Sequence, residues 1–150
     1  MASPSQQLSF LAPILLAGLT CTRSQEQNPD IPPAAAFEQT LRHDLETYFA
    51  KAESVPINVT YELLRKQATI TGIAYPKFYV WVEVRSGQHL LRVGAARLAA
   101  ISGSFEVTNF LPADAINRDS TIAGTIFPSA LVSEIAGRAR NAPHVAKRGA

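Results

Sequence analysis

The side chains able to do chemistry are few and scattered. The histidines are His43, His89 and His144, and the single cysteine is Cys21. No two histidines share metal-ligand spacing, and none sits beside a serine or cysteine in a triad motif. A triad assembles in space and not along the chain, so spacing alone does not remove them. His43 should face solvent, His89 should lie in a hairpin turn, and His144 in a tail. One cysteine permits neither an intramolecular disulfide nor a cysteine-based zinc site. The expectation is a chain with no metal and no cofactor, leaning away from catalysis.

Two charged residues are candidates for a pocket. Asp44 should flank the apolar stripe of a helix, where a desolvated carboxyl would have a raised pKa. Its plainer reading is a boundary residue paired with Lys51 or a strand arginine. Arg97 lies among apolar neighbours and needs a partner, because an unpaired buried charge is costly. It can bind an anionic ligand, or it can lie at a sheet edge with its stem buried.

The strongest candidate surface is aromatic. From 77 to 85 the chain reads K-F-Y-V-W-V-E-V-R, with Phe78, Val80, Val82 and Val84 on one face. Lys77, Tyr79, Trp81, Glu83 and Arg85 fall on the other, the period of two of a strand. Trp, Tyr and Arg dominate binding hot spots. Tyr79, Trp81, Lys77 and Arg85 are therefore the expected contact for a partner protein or a second copy of this chain. The competing reading is that the terminal helices or the preceding strand cover this face.

The elements that would position these residues are legible in outline. Phe37, Leu41, Leu45, Tyr48, Phe49 and Ala52 recur at helical spacing, which predicts an amphipathic helix over 34–52. Asp30 is placed to cap its first amides. Residues 57–64 alternate as a strand, and 68–74 are β-rich. Residues 75–111 read as three antiparallel strands joined by Ser86-Gly87-Gln88 and Ser102-Gly103-Ser104. Alanine makes a helix the competing reading for 94–100. Short helices should follow, the last opening at Pro128-Ser129.

The fold class expected is α+β. An N-terminal helix packs on a mostly antiparallel, curved sheet of four to five strands, with short C-terminal helices behind. This element order is similar to the cystatin-like and nuclear-transport-factor-like architectures. The resemblance is one of order alone. Residues 67–72, Q-A-T-I-T-G, do not keep the Q-x-V-x-G spacing of cystatin inhibitory loops, so protease inhibition is not implied.

Composition narrows location and partners. The chain has 150 residues, 14 bases against 12 acids, and a formal charge of +2. That balance gives no reason to expect nucleic-acid binding. Residues 8–19 are an apolar run, too short for a spanning helix and suited to a signal peptide. Cys21 follows directly, an arrangement that resembles a bacterial lipoprotein signal in which the cysteine is lipidated. Gly18-Leu19-Thr20 depart from that pattern, and an ordinary signal peptide is the other reading. The organisation expected is a signal peptide at 1–21, a linker at 22–33, one domain at 34–142 and a tail at 143–150. The location expected is periplasmic or outer-membrane if bacterial, and otherwise secreted. The leading functional reading is a non-enzymatic binding or assembly module of the cell envelope, held at the membrane if Cys21 carries a lipid. The alternative is a small pocket protein that binds a ligand, or does simple acid–base chemistry, between helix and sheet.

Overall fold

The computed structural model describes residues 28–145. The order is α1 (Phe37–Ala50), β1 (Asn58–Leu63), β2 (Lys77–Ser86), β3 (His89–Ile101), β4 (Ser104–Pro112), α2 (Ala113–Arg118), α3 (Ile122–Ile126) and α4 (Ser129–Asn141). The class is α+β, with one antiparallel sheet in the order β1-β2-β3-β4. Bulges between Val84 and Arg85 and between Arg97 and Leu98 bend it. Among the described residues, no helix is long and apolar enough to cross a membrane.

α1 forms because its apolar residues repeat on one face. Leu41, Leu45 and Phe49 are buried on the sheet, and Phe37 meets Phe78 and Phe105 edge-on at centroid distances of 5.3 and 5.1 Å. Tyr48, expected in the same stripe, points outward. Across the sheet, Phe78, Val80, Val82 and Val84 join Leu41, Leu45 and Phe49 in one core. This is the set that the alternation of β2 predicts.

The two hairpins turn where glycine was expected, with Gly87 at φ 55° and Gly103 at φ 78°. Ser102 shares the left-handed region at φ 50°. Residues 94–100 are strand and not helix. Gly94 explains part of that stretch: a β-carbon there would lie 2.2 Å from the Leu111 carbonyl oxygen, so β4 crosses where only glycine fits. Residues 68–74 do not form a fifth strand. They contribute one isolated bridge, Thr69 to Lys77, and the sheet has four strands.

Two expectations about the N-terminal side are corrected. α1 has Ala36 at its N-cap and no side-chain cap. Asp30 instead pins the β3–β4 hairpin, its carboxylate accepting from Ser102 N–H at 3.0 Å and its carbonyl from Gly103 N–H at 3.0 Å. Residues 28–33, expected as part of a linker, are thus docked on the domain, and Pro32 is fully buried. The apolar run 8–19 and Cys21 lie outside the described residues.

Candidate functional site

A cleft of about 1030 Å³ opens at the end of the sheet that carries the β2–β3 hairpin. Its origin is a mismatch of strand lengths. β3 begins at His89, but its pairing with β4 ends at Gly94 opposite Pro112. Pro112 has no N–H to extend the ladder, and the chain turns there into α2. Among the described residues, no strand lies beside the β4-side edge of β3 from His89 to Val93. The cleft occupies the place that a longer β4 would fill. Leu91 and Val93 line it from the sheet, Phe110 from the end of β4, Val55 from the segment after α1, and Ala139 and Ala142 from the end of α4.

One ion pair is built into this wall. Arg92 donates from Nε to Glu53 Oε1 at 2.8 Å, and the Glu53 side chain is only 2 % exposed. His89 and His144 also line the cleft. The fold thus brings together a hairpin residue and a residue expected in a tail, which no local pattern indicates. Residues 143–145, assigned in sequence to that tail, form part of the lining. Among the described residues, no group of three or more His, Asp, Glu or Cys is placed to hold a metal ion. The arrangement offers apolar surface, a bare strand edge and a paired charge. Such a combination recognises an extended or amphipathic ligand, with main-chain hydrogen bonds for affinity and side-chain contacts for choice.

The residues chosen from sequence lie elsewhere. Tyr79 is 3 % exposed and Trp81 8 % exposed. Both belong to a second core, with Val93, Ala95, Ile116, Phe127, Leu131 and Ile135, beneath α2–α4. The open aromatic surface is therefore corrected: the terminal helices cover it, and Tyr79 packs edge-on against Phe127 at 6.1 Å. Lys77 and Arg85 remain half-buried at the two ends of β2, Arg85 pairing with Glu83 at 3.1 Å.

Asp44 and Arg97 do not share a pocket. Asp44 accepts from the Phe105 N–H at 2.7 Å, on the α1 side of the sheet. Arg97 works on the other side. It donates to Thr108 Oγ1 at 3.1 Å, to the Ile126 carbonyl at 3.2 Å and to Asn109 Oδ1. Its partners are protein groups that fasten α3 to the sheet. His43 is exposed, as its helical position predicts.

Shifted acids mark ties between layers. Arg138 donates two hydrogen bonds to the Glu62 carboxylate, at 2.8 and 2.7 Å, and holds its pKa below the usual value. Burial, and then the Glu38 carboxylate to which Tyr61 donates, push the Tyr61 phenol well above its ordinary range. Neither group is near the cleft.

A second feature at the opposite end escaped the sequence reading. The β1–β2 connection exposes Ile70, Ile73 and Tyr75 together. Residues 68–74 read as β-rich in the sequence, but they form one isolated bridge and a turn, and the apolar side chains of that turn face solvent.

No protein family, no curated protein and no solved structure matches this chain.

Proposed function

We propose that this chain is an exported, membrane-tethered module of a cell envelope, which binds or assembles instead of catalysing, and which takes its partner in the cleft at the free end of β3. The observation that carries the binding reading is the edge His89–Val93, which pairs with no strand among the described residues and is set between apolar walls. The tether is supported by the sequence alone, through the apolar run 8–19 and Cys21. The geometry is consistent with display. Asp30 fastens the N-terminal side at the β3–β4 hairpin, and the cleft lies at the other end of β3. Those 13 residues of strand separate the two by ~40 Å.

Two measurements test this reading. The native protein should begin at Cys21 with a lipid by mass spectrometry. An intact 1–19 segment removes export, and an unlipidated start near residue 22 removes the tether only. For the cleft, a photo-reactive residue at position 55 should give a discrete cross-linked product in cells, lost on Leu91→Asp. Equal labelling from position 39, on the exposed side of α1, would take the cleft out of the reading.

A second reading is a small anionic ligand in the same cleft. It is favoured by Arg92, whose guanidinium lies on the wall partly exposed. Calorimetric titration with short carboxylates or phosphate monoesters should then give heat that Arg92→Gln abolishes.

A further inference from the structure

The connection between β1 and β2 presents apolar side chains to solvent in a group. Ile73 is fully exposed, Ile70 is 55 % exposed and Tyr75 is 51 % exposed. Single exposed apolar residues are ordinary on a protein surface. Three within six consecutive positions form a patch, and such patches mark contact surfaces.

The patch is held out by defined structure. At its base Thr69 and Lys77 exchange two backbone hydrogen bonds, of 2.8 and 2.9 Å. At its tip Ala74 N–H donates to the Thr71 carbonyl at 3.2 Å, with Gly72 at φ 59° supplying the left-handed residue. Pro76 is buried beneath it. The turn therefore fixes Ile73 at the apex.

The flanks are basic. Arg65 and Lys66 are exposed on one side of the tip, and Lys77 closes the other. From Leu63 to Val82 the sequence has no Asp or Glu. The nearest acids on neighbouring elements are occupied or set apart. Glu62 is held by Arg138, Asp30 by Ser102 and Asp44 by Phe105, while Glu106 lies two strands away from Lys77. Aliphatic residues with a tyrosine, flanked by Lys and Arg, suit the boundary of an anionic bilayer. The apolar groups enter the acyl region and the cations meet lipid headgroups.

Position selects the same partner. Lys77 pairs with Ala99 near the end of β3, the end that carries the Ser102-Gly103 turn pinned by Asp30. The loop and the place where residues 1–27 join the domain are thus at one end of the molecule, opposite the cleft.

We infer that residues 65–77 are a membrane-contact loop, which inserts Ile70, Ile73 and Tyr75 into the surface of an anionic bilayer while Arg65, Lys66 and Lys77 engage its headgroups. The inference rests on the proposed tether only for the cellular location of that bilayer. With the tip in the bilayer, the cleft faces away from the membrane, free to receive a partner.

The test uses the full chain carrying Ile73→Trp, with vesicles of phosphatidylcholine and phosphatidylserine, some bearing brominated acyl chains. The native Trp81 is buried and supplies the background. The introduced indole should shift to the blue and be quenched several-fold more strongly than Trp81. The charge reversals Arg65→Glu and Lys66→Glu together should weaken the apparent vesicle affinity about tenfold or more. Thermal unfolding should not change, because the altered side chains are exposed. If the protein sediments with vesicles while the introduced indole stays unquenched, the N-terminus alone binds, and the loop proposal falls with the tether intact. Quenching in a chain whose native form proves unlipidated and unexported keeps the loop and removes the tether. A concentration-dependent shift without lipid would show that the loop docks on protein, which overturns the proposal.

Discussion

The two faces of this sheet are covered by different means. On one, a single helix of 14 residues, α1, lays Leu41, Leu45 and Phe49 on the valines of β2. Packing carries most of that contact, and two polar ties add to it: Asp44 accepts from the Phe105 N–H, and Tyr61 donates to the Glu38 carboxylate. On the other face the cover is broken into α2 and α3, of 6 and 5 residues, and the longer α4. Helices that short do not hold together alone. Each is fastened by a polar side chain: Arg97 to the Ile126 carbonyl at 3.2 Å, Asn117 to the Ala139 carbonyl at 2.8 Å, and Arg138 to Glu62. The long amphipathic helix is held mainly by burial along its stripe, whereas each piece of the fragmented layer has its own directed bond.

The largest expected effect asks whether the second face is core at all. Trp81→Ala should destabilise by about 3–5 kcal/mol, the range for a buried aromatic. Leu45→Ala on the first face should cost about 2–5 kcal/mol. Denaturant midpoints with unchanged slopes would show that both faces unfold together. A Trp81→Ala cost below about half a kilocalorie, as at a surface site, would break the comparison by putting α2–α4 elsewhere.

The same contrast explains what could be read in the sequence. The first face was legible because both partners announce it. Phe37, Leu41, Leu45 and Phe49 repeat at helical spacing, and Phe78, Val80, Val82 and Val84 alternate without exception. The second face was not, because Tyr79 and Trp81 alternate with Lys77, Glu83 and Arg85, the composition of an interaction surface. Cover by the terminal helices is the competing reading of that face, and no local pattern in those short helices decides between the two. Arg97 was legible as a residue in need of partners, but its partners come from α3 and a neighbouring strand, and no local pattern names them. The cleft was invisible for a similar reason. It depends on where β4 stops pairing with β3, a matter of register between distant segments. Pro112 and Gly94 mark that place only once the strands are laid side by side.

Arg97→Met sharpens the comparison at intermediate size. Methionine keeps much of the aliphatic stem and removes the hydrogen bonds, leaving the Ile126 carbonyl without that donor. A loss of about 1–3 kcal/mol is expected. Amide exchange should accelerate in α3 and the end of β4 and stay unchanged in α1. Equal acceleration in α1 would mean that the two covers are not separate.

The smallest effect is also the one with a pH signature. Glu62 lies on β1 and Arg138 on α4, so this ion pair ties the second cover to the sheet's edge strand. Arg138 also holds Glu134 at 2.9 Å. Glu62 is largely exposed, and an exposed pair contributes only about 0–1 kcal/mol. Its folded pKa lies below the ordinary 4.5 because Arg138 favours the ionised form. The contribution is therefore complete above pH 4.5 and is lost as the pH falls through the lower, folded value. Glu62→Gln should be slightly less stable than the native chain at neutral pH and equal to it in acid. Molar salt should shrink the neutral-pH difference by screening. A variant that remains less stable in acid by the same amount would show that Glu62 acts through packing, and that the second face does not depend on its charged tie.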